Sequence, residues 1–203
     1  MEATMKPETI SLPLGKATLT VPADEAARIL IDNLTRPLAP AAAPQQVPRI
    51  GEYWPSQGGV YAGLMRGENG QPDYHLIVAS GAEGFIKEIA WGCQGQDEPG
   101  AKSEWDGWGN TRALVESEHD HPAAEWVVGL EVDGHTDWYL PSRREAALCY
   151  AATPELFDKD WHWASTQYSP DYAWGQDFND GYQNHYHKTY VLRARAVRRT
   201  SVI

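Results

Sequence analysis

Four prolines, Pro37, Pro40, Pro44 and Pro48, fall within twelve residues and divide the chain into a short head and a long body. Proline fixes φ and lacks an amide hydrogen, so neither a helix nor a central strand runs through such a stretch. It reads instead as an extended, semi-rigid spacer. The resulting organisation is a head at 1–36, a linker at 37–49 and a body at 50–203. In the head, Thr9 to Val21 reads as one or two short strands about Gly15-Lys16. Asp24 to Leu34 reads as a helix with Ala27, Leu30 and Leu34 on one face. A strand pair and one helix bury too little surface to stand alone. That face either packs on another chain, in an assembly or oligomerisation module, or folds back onto the body.

The body alternates short apolar or aromatic runs with Gly- and Asp-rich turns, the pattern of a strand-dominated α+β domain. Strands are expected at Gly59–Leu64, Tyr74–Ala79, Phe85–Ala90, Trp126–Val132, Trp138–Leu140, His162–Ser165, Tyr172–Phe178, Tyr182–His187 and Val191–Arg198. Two short helices are expected between them. Asn110 can cap one that runs to Glu116. Ser142-Arg143-Arg144-Glu145 is a capping box for another, carrying Ala146, Ala147, Leu148 and Ala151 and stopping before Pro154.

Charge excludes one class of partner. With 28 acidic against 17 basic residues the chain lacks the basic face a general nucleic-acid binder needs. No apolar run approaches the roughly 20 residues of a membrane helix, so no membrane insertion is expected. Residues 1–13 also lack the basic-then-apolar pattern of a signal peptide. Cys93 and Cys149 cannot build a disulfide scaffold, and whether they pair is open.

Three motifs carry potential chemistry, and each has a plainer explanation. Gln71-Pro72-Asp73 matches a sugar-selecting calcium tripeptide but sits in a Gly/Asn turn without a downstream Trp-Asn-Asp. Glu118-His119-Asp120-His121 crowds metal-capable side chains together, yet neighbours on a loop seldom converge on one ion. Asp177-Phe178-Asn179-Asp180-Gly181 lacks the spacing and the bidentate Glu of a calcium loop and suits a hairpin turn with Gly181 at positive φ. No nucleophile elbow or phosphate loop is present. Catalytic residues, metal ligands and cofactors are therefore all expected to be none.

The informative window is Gln167–Tyr190. It holds five of the ten tyrosines, two of the seven histidines, three Asp and two Asn, and a single basic residue, Lys188. Rigid aromatics supply contact area at low entropic cost, and short polar groups adapt their hydrogen bonds, as in a paratope. Trp174 and Phe178 are expected to share a strand face and to pack inward. Tyr172, Tyr182, Asn184, His185, Tyr186 and His187 are expected to contact a ligand, with Asp171, Gln176, Asn179 and Asp180 as a polar rim.

Asp137-Trp138-Tyr139-Leu140-Pro141-Ser142, Glu145, Trp163-Ala164-Ser165-Thr166, Ala173-Trp174, Phe178, Gly181, Lys188 and Arg193–Arg198 occur in the order of a known pattern. Over about Trp105–Arg199 the chain resembles the C-type-lectin-like family of bacterial and phage proteins, found also at the C-terminus of collagen-like adhesins. The resemblance implies a lectin-like fold with a twisted antiparallel sheet and extensive loops. Formylglycine-generating enzymes share that fold but need a reactive cysteine arrangement late in the domain, and no cysteine follows Cys149. The variable receptor-binding proteins of diversity-generating retroelements share it too, and Gln167–Tyr190 is similar to their variable regions. The expectation is a non-enzymatic receptor-binding protein of a phage tail, localised to the virion. It would bind a host cell-surface protein or glycan, contact other virion proteins, and form a homo-oligomer, with a trimer favoured. The missing export signal fits that route out of the cell. The alternatives are a virion structural or decoration protein using the same surface, a relative of the formylglycine-generating enzymes, and a cytoplasmic binder of a small ligand.

Overall fold

A computed structural model describes residues 8–14, 17–35 and 46–202. The chain divides into two compact units, Met1–Gln45 and Gln46–Ile203. The first is an antiparallel hairpin, β1 (Thr9–Leu14) with β2 (Ala17–Pro22), followed by helix α1 (Ala23–Thr35). Asp24 and Glu25 occupy its first turn, where they complement the positive end of the helix dipole. Of the expected apolar face, Ala27 is exposed, and the side chains of Leu30 and Leu34 lie outside the described residues, as do Gly15-Lys16 and the linker from 37 to 45.

The second unit is α+β, with two sheets and three α-helices. One sheet has the order β11-β5-β4-β3, from β3 (Tyr53–Trp54), β4 (Gly59–Met65), β5 (Tyr74–Val78) and β11 (Val197–Ser201), and is antiparallel throughout. The other has the order β6-β10-β7-β8-β9, from β6 (Phe85–Ala90), β7 (Trp161–Gln167), β8 (Tyr172–Asp177), β9 (Gln183–His187) and β10 (Val191–Arg195). Its β10–β7 pairing alone is parallel. Helices α2 (Gly107–Val115), α3 (Pro122–Val128) and α4 (Arg143–Ala152) lie between β6 and β7 in the chain.

Val191–Arg198, expected as one strand, is broken at Ala196. Its first half completes one sheet and its second half the other, and the fully buried Ala196 exchanges hydrogen bonds with Ala79 and Gly84 at the transfer point. A small side chain is what the close approach of both sheets allows.

Trp126–Val132, expected as a strand, is instead the last three residues of helix α3 followed by a turn and an isolated bridge at Val132. Pro122 opens the helix, and Ala123, Ala124 and Val127 bury one helical face despite the two valines. Trp138–Leu140 makes only an isolated bridge, Tyr139 to Val197. Helix α2 is capped by Asp106, whose carboxylate accepts the Gly109 amide at 2.9 Å. Asn110 sits buried inside that helix and donates to the Ser103 carbonyl. The capping box at α4 is formed as the sequence predicts: Ser142 Oγ accepts the Glu145 amide, and the Glu145 carboxylate accepts the Ser142 amide.

Much of the tryptophan content is core. Trp91, Trp138 and Trp163 are fully buried, and each indole donates to a main-chain carbonyl, of Ala164, His135 and Ile89, all at 2.9 Å. A buried indole costs little once its one donor is satisfied.

Candidate functional site

The β8–β9 hairpin forms one end of the five-stranded sheet, so among the described residues one edge of β9 pairs with no strand. Its register sets Tyr172 opposite His187, Trp174 opposite His185 and Gln176 opposite Gln183. Because side chains alternate along a strand, Tyr172, Trp174, His185 and His187 share one face, and Ala173, Gly175, Asn184 and Tyr186 point to the other.

On the first face the rings meet directly. Tyr168, just before β8, stacks on His185 at 4.1 Å between ring centroids and stands edge-on to Trp174 at 5.4 Å. Tyr172 meets His185 at 5.2 Å and His187 at 4.3 Å, and its hydroxyl lies 3.1 Å from His187 Nε2. Tyr190 extends the row, 5.5 Å from His187. At the other end the Arg143 guanidinium lies 3.7 Å over the Trp174 ring, held there by Glu104 at 2.6 Å and Gln183 at 3.0 Å. Tyr168 and Tyr190 are about half exposed, at 52% and 53%, while the rings between them are half-buried. Edge and stacked contacts of this kind lock rotamers, so the surface is pre-organised rather than floppy.

The hairpin turn is built from its own acids. Asp177 Oδ1 accepts the Asn179 amide at 2.8 Å, Asp180 Oδ1 accepts the Tyr182 amide at 3.0 Å, and Gly181 has φ +87°. Tyr182 projects from it at 70% exposure, flanked by exposed Asn179 and Asp180.

The structure thus brings together only part of the set named from sequence. Tyr172, His185 and His187 share the aromatic face. Tyr182, Asn179 and Asp180 sit at the adjoining turn. Asn184 is exposed beside the free edge, where its Oδ1 accepts the His185 amide at 2.9 Å and occupies a donor that another strand would need. Tyr186 points to the opposite face and packs on Trp161 at 4.9 Å. Asp171 is half-buried, and its carbonyl accepts the Lys188 amide.

Gln176 does not form a rim. It is buried, donating to the Asp177 and Tyr182 carbonyls and accepting from Gln183. Trp174 and Phe178 part company as well. Phe178 lies past the end of β8, stacked on Phe157 at 3.8 Å in the core, whereas Trp174 belongs to the surface row. Sequence reading missed Tyr168, Tyr190 and Arg143. Alternation from Tyr172 would have found Trp174, but the other three reach the face through chain reversals that no local spacing encodes.

Behind this hairpin lies a buried polar cluster. Lys188 Nζ donates to the Gln96 carbonyl and to Gln167 Oε1, both at 2.6 Å, and sits 4.8 Å over the Trp91 ring. Burial lowers its pKa to about 8, with nearby Glu98 and Asp97 acting in the opposite direction. Glu98 Oε1 receives Ser117, His119 and His121 at 2.9–3.0 Å. Desolvation opposes those contacts, yet they hold the Glu98 carboxyl below its ordinary range. His119 and His121 therefore turn to a carboxylate, while Glu118 and Asp120 stay exposed. Among the described residues no group of three or more His, Cys, Asp or Glu is placed to hold a metal ion.

Cys93 and Cys149 are free thiols. Cys149 is fully buried, and burial with the nearby Glu145 carboxylate raises its thiol far above the usual range. Asp73 of the Gln-Pro-Asp tripeptide accepts the Gly67 amide at 2.8 Å within a turn. No helix among the described residues is long and apolar enough to cross a membrane.

Comparison of the chain with protein-family models gives no match, and comparison with curated proteins gives none either.

Proposed function

We propose that this protein is a non-enzymatic receptor-binding component of a phage tail, whose aromatic face on β8–β9 recognises a protein or glycan on the bacterial host surface. The observation that carries the reading is the row Arg143–Trp174–Tyr168–His185–Tyr172–His187–Tyr190. It exposes about half of Tyr168 and Tyr190, is locked by ring contacts, and lies on the outer hairpin of a sheet. Tyr, Trp and Arg are the residues that dominate binding energy at interfaces. The α+β architecture with its paired sheets is compatible with the C-type-lectin-like fold that the sequence resembles, and the buried Cys149 thiol offers little for thiol chemistry. The strand–helix unit at the N-terminus would then dock on other virion proteins or on copies of itself, with a trimer favoured.

The test is adsorption of the purified full chain to intact host cells. Replacing Tyr168 and Tyr172 by Ala should weaken binding by at least tenfold while the near-ultraviolet circular dichroism of the buried tryptophans is kept. Undiminished adsorption by that folded variant would sink the assignment. Protection of the same residues inside assembled particles, with no binding to cells, would favour the structural reading in which the face meets a neighbouring subunit.

A further inference from the structure

A cleft of about 520 Å³ opens between the loop joining β4 to β5, the segment leading into α2, and the end of β11. Arg66, Tyr74, Trp105, Asp106 and Arg199 line it, and it shares no residue with the aromatic face. That volume lies within the usual range for small-ligand sites.

Three carboxylates and two guanidinium groups line it. Asp106 accepts the Gly109 amide at 2.9 Å and Arg199 Nη1 at 3.0 Å, both on one oxygen, Asp73 accepts the Gly67 amide at 2.8 Å, and Glu68 is exposed at the rim. Both guanidinium groups keep N–H donors to spare. Arg66 has no side-chain hydrogen bond or ion pair among the described residues. Arg199 gives only Nη1 to Asp106, and its guanidinium carbon lies 5.3 Å from the centre of the Tyr74 ring and 5.2 Å from that of Trp108. The Ser103 hydroxyl accepts the Trp105 and Asp106 amides, which leaves its proton to give. Two guanidinium groups with spare N–H donors, one of them beside two rings, form a receptor for a planar anionic oxygen group. At the rim, Glu68, Asn69 and Gln71 offer carboxylate and amide groups suited to hydroxyls.

We propose that this cleft is a second binding site, taking a small acidic sugar: the carboxylate on Arg199 and Arg66, the hydroxyls towards Glu68, Asn69 and Gln71, and the carbon skeleton against Trp105. The site is independent of the aromatic face and of whatever that face binds.

Calorimetric titration of the full chain with glucuronate, glucose and inorganic phosphate tests it. Glucuronate should bind at least tenfold more tightly than either of the others. Arg66→Gln, which breaks no contact in the fold, should weaken glucuronate by at least tenfold, and Ser201→Asp, which adds negative charge at the mouth, should do the same. Tyr172→Ala should leave glucuronate binding unchanged, which separates this site from the aromatic face. Absence of glucuronate binding, equal affinity for phosphate, equal affinity for glucose, or full affinity in Arg66→Gln would each overturn the proposal.

Discussion

Single residues in this protein show how strongly burial decides a side chain's role. His162 in β7 is caged by aromatic rings, 4.9 Å from Phe178, 5.2 Å from Phe157 and 6.1 Å from Phe85. Its Nδ1 lies 3.0 Å from the Asp160 carbonyl, while Nε2 is buried with no partner. The neutral ring suits that cage and the charged ring does not, so burial lowers the pKa to about 4 from 6.5. In the unfolded chain the ring protonates near its ordinary value. The contribution of His162 to stability is therefore complete above pH 6.5 and is lost as the pH falls towards 4, a change of about 3 kcal/mol. Urea unfolding at pH 7 and pH 4.5 should show the wild type losing more stability on acidification than His162→Phe, whose ring fits the same cage without titrating. Equal losses would show that His162 is not the group responsible. At this scale the sequence was only half legible. The inward face expected for Trp174 and Phe178 did not form, because β8 ends at Asp177, and no local spacing says that Gln176 is inside and Trp174 in the surface row.

Elements were legible where their signal is local. The capping box at Ser142–Glu145 and the stop before Pro154 delimit α4 correctly, because both act within one turn of helix. Helix α3 was misread because β-branched Val127 and Val128 suggest a strand, and only tertiary burial of Ala123, Ala124 and Val127 overrides that preference. The break between β10 and β11 was invisible for a related reason, since two sheets competing for one strand is a property of the whole fold.

The capping box also has a non-local half. The Glu145 carboxylate is fully buried and accepts the hydroxyls of Tyr74 and Tyr139, each at 2.7 Å, besides the Ser142 amide. Ser142→Ala should cost about 1 kcal/mol, the usual loss for a helix cap. Glu145→Ala removes the acceptor of two buried hydroxyls as well, and should cost about 3–5 kcal/mol in denaturant unfolding. Similar losses from both substitutions would mean that Glu145 serves the helix end alone.

For the whole molecule, the question is which unit carries stability and which carries association. Every buried apolar residue among the described residues lies between Trp54 and Val197, inside the second unit, and the residues described in the first unit are exposed or half-buried. The break that the prolines announce in the sequence coincides with the boundary between units at Gln45. The aromatic face, the cleft beside β11 and the two larger sheets belong to the second unit, which is long enough to bury a sufficient core of its own. Removal of residues 1–45 should therefore leave a chain that unfolds cooperatively, with a melting temperature within a few degrees of the full protein. On the proposed function, its affinity per chain for host cells should be unchanged, and, if the N-terminal unit assembles the chain as proposed, its mass by light scattering should fall from that of an oligomer to that of a monomer. Loss of avidity should follow, because copies held together multiply weak contacts without any new one. A truncated chain that fails to unfold cooperatively would show that the N-terminal unit is part of the folding core. One that keeps the full protein's oligomeric state would place assembly in the body instead.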